Sequence, residues 1–454
     1  MCCRATLSHG QLLFLSALAG AATITCPLPA SAEITQLTIV SAADIGPFAG
    51  KPYREIDARL HGTAPGGPYE VPLTLAFPTK AADFDGITVV DIVNTITLFM
   101  EGFKPAGGAL PMARVHMGDA FLFGRGNGYV AVNWDNEAVQ MLGKGSIAAR
   151  TDGYTVLRDA AAVARNPSRY LRSSAGIEAP EQARTIAYGF SQTGGLLRGW
   201  FFDGHNMEGG ARAFDGGIPA GAFAWCTDLA NDDGKPCPGP VADGAKVISL
   251  LSEGDVEWGG VDERGESPDY RVIDIAGVPH IPATAADFRH QGMPEQNPVG
   301  FEPVVRAAFA NLADWLDGRE PPPSVALEVS DEPGALLMGD PLTSLARDAD
   351  GNALGGLRLP HMPSRLADGT AAGAPLGTYR GLALNRQEEN IYFTISGTFT
   401  PFAPEKLATL YPDRAAYVAA VTAAAEDLAG RRYILPEDAA DYIEAAGSAE
   451  IGGP

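Results

Sequence analysis

One octapeptide restricts the fold more than any other part of the chain: Tyr188-Gly189-Phe190-Ser191-Gln192-Thr193-Gly194-Gly195. A short apolar strand, Arg184–Tyr188, runs into it, and a helix beginning near Thr193 runs out of it. A serine on so sharp a strand-to-helix turn needs small residues two before it and two or three after it. Gly189 and Thr193-Gly194 fill those places. Such a turn lifts the Ser191 hydroxyl clear of the sheet. The helix N-terminus behind it favours negative charge, and the Gln192 N–H would face an oxyanion. Thr193 stands where G-x-S-x-G has its second glycine. The competing reading is a Gly-Ser turn that only caps a helix.

A serine hydroxyl is a weak nucleophile and needs a base, with a carboxylate to orient that base. On strand–helix scaffolds with this turn the order along the chain is Ser, acid, His, each at a strand end. The strand Lys246–Leu251 runs into Ser252-Glu253-Gly254-Asp255, and Tyr270–Ile275 runs into Ala276-Gly277-Val278-Pro279-His280. His280 is therefore the expected base, with His290 second. Asp255 is favoured as the acid because a residue about four past the buried strand turns back toward the His. Glu253 and Glu257 remain open for that role. The strand Gly86–Val93 ends at Asn94-Thr95, and an N–H at Thr95 is the candidate second oxyanion donor. Trp134 and Trp258, at strand ends, and His205, just past the elbow helix, are candidate substrate-binding residues; packing in the core or at the rim is the alternative for each Trp.

The rest of the chain agrees with an α/β fold built on a doubly wound, mostly parallel sheet. Ile34–Ile45, Pro52–His61 and Val71–Phe77 read as N-terminal β additions. Gly86–Asn94 and Gly128–Trp134 are β-branched or apolar on both faces, as in a sheet covered on each side. Val156, Leu157, Ala160, Val163 and Ala164 share a helical face that Pro167 must end. Val305, Phe309, Leu312 and Leu316 form another, stopped by Gly318 and Pro321-Pro322-Pro323. With 54 Gly and 35 Pro in 454 residues, near a fifth of the chain against a usual roughly 12%, many turns and long ordered loops are expected. They concentrate in 324–400, before the helical stretch 403–447. The expected division is a signal peptide over 1–32, a catalytic domain over 33–323, and a loop-plus-helix extension over 324–454 packed on it.

The net charge of −22 and the lack of clustered Lys and Arg argue against a nucleic-acid partner. Arg4, the apolar stretch to Ile24 and Ala30-Ser31-Ala32 read as an export signal, too short to span a bilayer. The mature chain would begin at Glu33, periplasmic or secreted, with no membrane insertion. It would keep two cysteines, Cys226 and Cys237, which read as one disulfide in an oxidising compartment. Asp348-Ala-Asp350-Gly-Asn352 starts like a calcium loop but has no Glu at the twelfth position, so a Gly-Asn turn is the better reading.

The stretch Ala187–Pro219, AYGFSQTGGLLRGWFFDGHNMEGGARAFDGGIP, resembles the alpha/beta hydrolase domain family, whose elbow reads G-[FY]-S-Q-[ST]-G followed by L-R, G-x-N and F-D-G. The resemblance extends to SEGDV, AGVPH, DGREPPPS, DADGNALGGLRLP, PLGTYRG and PFAPEKLATLYP. It implies an α/β-hydrolase fold and a serine hydrolase, most simply one acting on a small or polymeric carboxylic ester without metal or organic cofactor. Gly195 departs from the family, where a larger and often basic residue is expected; the difference should be felt at the pocket mouth or in binding an acyl or anionic group. An acyltransferase or peptidase could use the same three residues. A catalytically silent exported binding module is the alternative from another class.

Overall fold

Polar and apolar residues alternate in the first three strands, β1 (Glu33–Phe48), β2 (Lys51–Ala64) and β3 (Gly67–Pro78). They pair antiparallel in sequence, and β2 and β3 bury alternate side chains while the others face water. The next strands lack that alternation. β4 (Ile87–Ile92), β5 (Gly128–Val132), β6 (Arg184–Phe190) and β7 (Gly216–Ala220) are buried almost throughout. After a hairpin of β8 (Trp225–Asp228) and β9 (Asn231–Pro236) come β10 (Lys246–Ser252) and β11 (Tyr270–Ile275), buried likewise. Only a sheet covered on both faces accommodates such runs. This computed structural model describes residues 33–451 except 100–109, 172–175, 209, 224, 238–240, 242, 263–265, 282–295, 362–363, 366–370, 373, 387–390 and 450. The expected signal peptide lies outside the described residues.

The nine-stranded sheet has the order β1-β2-β3-β5-β4-β6-β7-β10-β11. The pairs from β5 to β11 are all parallel, and β3 joins β5 antiparallel. Successive residues of β7 show what covers it. A Cβ on Gly216 would meet Leu312 at 3.1 Å, in the helix Glu302–Leu316. A Cβ on Gly217 would meet Phe201 at 2.4 Å, in the helix Gln192–Phe202. Neighbouring positions point to opposite faces, so these two helices sandwich the sheet. Gly153–Arg165 packs beside Gln192–Phe202 through Tyr154 and Trp200. No helix among the described residues is long and apolar enough to cross a membrane.

Chain connectivity places the site. The chain leaves β4 for β5 on one side, then crosses back to β6 on the other. That reversal opens a crevice at the C-terminal ends of β4 and β6. The tail beyond 324 lies along the β11 edge of the sheet. Val325 and Leu357 make parallel bridges to Ile273 and Ile275 of β11. Leu428, Tyr433 and Ile434 join the main core, and Asp438 accepts Arg306 Nε–H at 3.0 Å. Asp348 folds the suspected calcium loop into a turn, its Oδ1 accepting the N–H groups of Asp350 and Asn352 at 2.9 Å.

Candidate active site

The elbow forms because its glycines cannot be anything else. A Cβ on Gly189 would lie 2.3 Å from the Thr193 carbonyl oxygen, and one on Gly194 would lie 2.4 Å from that of Ala220. Ser191 itself has φ 57° and ψ −117°, a strained conformation for a residue with a side chain. Thr193 explains its own departure from glycine. Its hydroxyl accepts the Phe190 N–H at 3.0 Å and donates to the Phe190 carbonyl at 3.1 Å, closing the turn. The Ser191 N–H is held by Ala220 O at 2.9 Å.

Ser191 Oγ lies 2.9 Å from His280 Nε2, and His280 Nδ1 lies 2.5 Å from Asp255 Oδ1. A carboxylate only accepts, so the imidazole proton belongs on Nδ1 and the Nε2 lone pair faces the serine hydroxyl. Asp255 sits in the helix Glu253–Gly259, where a capping box fixes its phase. Its Oδ2 accepts the Ser252 N–H at 2.7 Å, and the Ser252 hydroxyl accepts the Asp255 N–H at 3.1 Å. One carboxylate thus caps a helix with one oxygen and orients a histidine with the other.

Glu253 has different partners. Fully buried, it accepts Gly277 N–H at 2.6 Å and Gly381 N–H at 3.2 Å, and pairs with Arg347 at 2.9 Å. Gly277 belongs to the loop that carries His280, while Gly381 and Arg347 belong to the tail. That loop is tied to the tail twice more, through Ala276 N–H to Leu357 O at 2.9 Å and Ile281 N–H to Ile395 O at 3.1 Å. Glu257 faces Arg347 at 2.6 Å. Burial and the Glu253 charge push its pKa up to about 7 against the pull of Arg347.

Thr95 lies across from the elbow, and its donors are engaged. Its N–H and hydroxyl both donate to Gln192 Oε1 at 3.2 Å. The Gln192 N–H opens its helix and so has no intrahelical carbonyl to meet. Asn94 braces this side, donating from Nδ2 to Phe190 O at 2.8 Å.

Three expectations need correction. Trp134 is 1% exposed and donates from Nε1 to Val93 O at 3.1 Å, so it is a core side chain and not a cleft wall. His205 follows the 11-residue elbow helix, about 16 Å from its start at 1.5 Å per residue. It stacks on Tyr154 at 4.0 Å and meets Glu208 at 2.9 Å, remote from Ser191. Gly195 does not border a pocket mouth. A Cβ there would lie 2.7 Å from Thr227 Oγ1, and one on Gly199 would lie 2.4 Å from Thr227 O. The two glycines form the face on which the β8–β9 hairpin rests. Trp258 packs edge-on against Phe223, the ring that stacks on the imidazole. His290 is outside the described residues.

The hairpin is closed by the Cys226–Cys237 disulfide. Below it Arg198, fully buried, donates to Asp262 at 2.8 Å and Ser249 at 2.9 Å. Neither the hairpin nor Phe223 is visible in the sequence as part of the site.

A family model described as alpha/beta hydrolase domain matches residues 53–444. The chain belongs to the alpha/beta hydrolase domain family. The nine-stranded sheet and the elbow at the end of β6 are the framework of that hydrolase fold. Curated proteins give no significant match. Among solved structures the hydrolase is similar to a putative dienelactone hydrolase from Klebsiella pneumoniae, at 13% identity, 58% of this chain, 99% of the other and a TM-score of 0.32. It is also similar to a rice cell wall degrading esterase, LipA, from Xanthomonas oryzae, at 14% identity, 41% and 51% coverage and a TM-score of 0.26. A glucuronoyl esterase from Solibacter usitatus matches at 11% identity, 48% and 68% coverage and a TM-score of 0.28. Likenesses this distant carry no weight for the chemistry.

Proposed function

We propose that this hydrolase cleaves a carboxylic ester through an acyl-enzyme on Ser191. The observation that carries the reading is the unbroken relay of 2.9 Å and 2.5 Å from Ser191 Oγ through His280 to Asp255. Ser191 Oγ attacks the ester carbonyl carbon while its proton passes to His280 Nε2. Asp255 stabilises the imidazolium through Nδ1–H. The oxyanion takes the Gln192 N–H, and displaces the Gln192 side-chain carbonyl as acceptor of the Thr95 donors; one such donor is worth about 3–4 kcal/mol in the transition state. When the C–O bond to the alcohol breaks, Nε2 returns its proton to the leaving oxygen. Water then gives a proton to Nε2 and attacks the acyl carbon. The acid departs and Ser191 recovers its proton.

The division of labour proposed for the chain follows. Residues 33–323 carry the relay, and 324–454 hold the His280 loop. The disulfide supports an oxidising, exported setting, periplasmic or secreted. A fluorophosphonate probe should label the protein on Ser191, and Ser191→Ala should abolish both label and hydrolysis of an alkyl acetate while the melting curve stays in place. Full activity in Ser191→Ala would end the mechanism.

A further inference from the structure

Two rings stack on the His280 imidazole, the buried Phe190 at 5.1 Å and the half-buried Phe223, and two indoles, Trp258 and Trp225, adjoin Phe223; the relay uses none of them. Phe223 lies nearly parallel to the imidazole, at 4.9 Å between ring centroids and 19° between planes. Trp258 meets Phe223 edge-on at 5.0 Å. Trp225 lies 5.4 Å from Phe223 and 6.3 Å from Trp258.

Two features set this cluster apart from core packing. Phe223 has φ 48°, a left-handed conformation that a bulky residue keeps only under constraint. Burial does not repay it, because Phe223 and Trp258 are half-buried and Trp225 is 36% exposed. Trp134 and Trp200, by contrast, are sealed in the core. The indole is also held in place: Trp225 begins β8, and the next residue is the disulfide-bonded Cys226.

We infer that Phe223, Trp225 and Trp258 form a stacking platform for the alcohol half of the substrate, and that this alcohol carries a ring with a flat apolar face, an aryl group or a pyranose. The inference rests on the ester-hydrolase reading above. Chemistry sets the side. His280 Nε2 must hand its proton to the leaving oxygen, so the alcohol lies near the imidazole. Of the two rings stacked on that imidazole Phe190 is sealed in the core, and the open one, Phe223 with its neighbours Trp225 and Trp258, is the surface an alcohol can reach. Aromatic faces select flat partners by offset stacking and edge contact, beyond their apolar area.

The test compares kcat/KM for ethyl, hexyl and benzyl acetates and for methyl 6-O-acetylglucopyranoside, all esters of primary alcohols. At least one ring ester should exceed the hexyl ester by about fivefold, the worth of one aromatic contact. Trp225→Ala should bring that ratio near one, chiefly through KM. Phe223→Gly should lower the same ratio while melting no earlier than the parent, since glycine relieves the left-handed strain. A structural role alone would lower stability and leave the ratio in place. Which ring is favoured distinguishes aryl from pyranose. Equal rates for hexyl and ring esters, or an unchanged ratio in both variants, would overturn the platform with the hydrolase reading intact. Absence of any ester turnover, with no probe on Ser191, would overturn the hydrolase reading and the platform together.

Discussion

Asp255→Asn and Glu253→Gln should fail in opposite ways. Asp255 holds His280 with Oδ1 and the Ser252 N–H with Oδ2. An asparagine has one acceptor oxygen. Turned to the Ser252 N–H, it leaves its NH2 against His280 Nδ1. The ring proton then sits on Nε2, and Ser191 Oγ loses the acceptor now 2.9 Å away. A wrong tautomer of this kind lowers kcat on the order of 10⁴, or about 5 kcal/mol. The fold keeps both contacts and should lose only about 1 kcal/mol. Glu253 is surrounded by donors: two backbone N–H groups and the Arg347 guanidinium. Glutamine must turn its NH2 on one of them and gives up the charge. Loss of one or two charge-assisted bonds at about 1.5–3 kcal/mol each should cost roughly 3 kcal/mol of stability. Activity falls only as far as the His280 loop shifts, about 10²-fold for a displacement near 1 Å. Initial rates on an alkyl acetate, with urea unfolding of both variants, read the two axes. If Asp255→Asn stays within about tenfold of the parent while Glu253→Gln is the deader enzyme, the assignment of the two carboxylates is wrong.

Two further outcomes can be checked. Asp91 in β4 accepts the Tyr129 hydroxyl and the Ala113 N–H, both at 2.9 Å. Burial still pushes its pKa up to about 7 against those bonds and the Arg114 charge, while the unfolded chain titrates near 3.9. The native state therefore holds the extra proton between these values, and the stability it lends is lost as pH rises through about 7. The parent should lose ground against Asp91→Asn between pH 5 and 8, and urea midpoints that stay parallel would refute this. Other buried groups, Asp274 and Glu257 on one side and His116 and His361 on the other, cancel in that comparison. Replacing Cys226 and Cys237 by Ser opens the loop between two positions 11 apart in the sequence. It should lower stability by roughly 2–3 kcal/mol, and an unchanged unfolding midpoint would mean the hairpin is held by Arg198 and the glycine face alone.

Legibility in the sequence followed how local the physics is. The elbow could be read because Gly189 meets Thr193 within the turn itself, although Gly194 is kept small by Ala220 from a later strand, and the strand ends at Ser252 and Ala276 could be read because buried strands announce themselves. Counting past the strand end favours Asp255 over Glu253 but leaves both open. They lie within one helical turn, both buried, and only helix phase decides which one faces the imidazole. Ser252-Glu253-Gly254-Asp255 does carry that signal, as the capping-box pattern. Trp134 and His205 were misplaced because being near the site along the chain says nothing about which side of the sheet a side chain takes. Phe223 and the β8–β9 hairpin depend on contacts with residues far along the chain, and no local pattern marks them.

The seat of the imidazole has a consequence in time. Proteins are made from the N-terminus, so the elbow emerges early, whereas Arg347, Leu357, Gly381 and Ile395, which clasp the loop bearing the base, come from the last quarter of the chain. On the proposed relay, a half-synthesised molecule would carry Ser191 but neither His280 nor the tail residues that hold its loop. Under the proposed mechanism, turnover would begin only after those tail residues have docked.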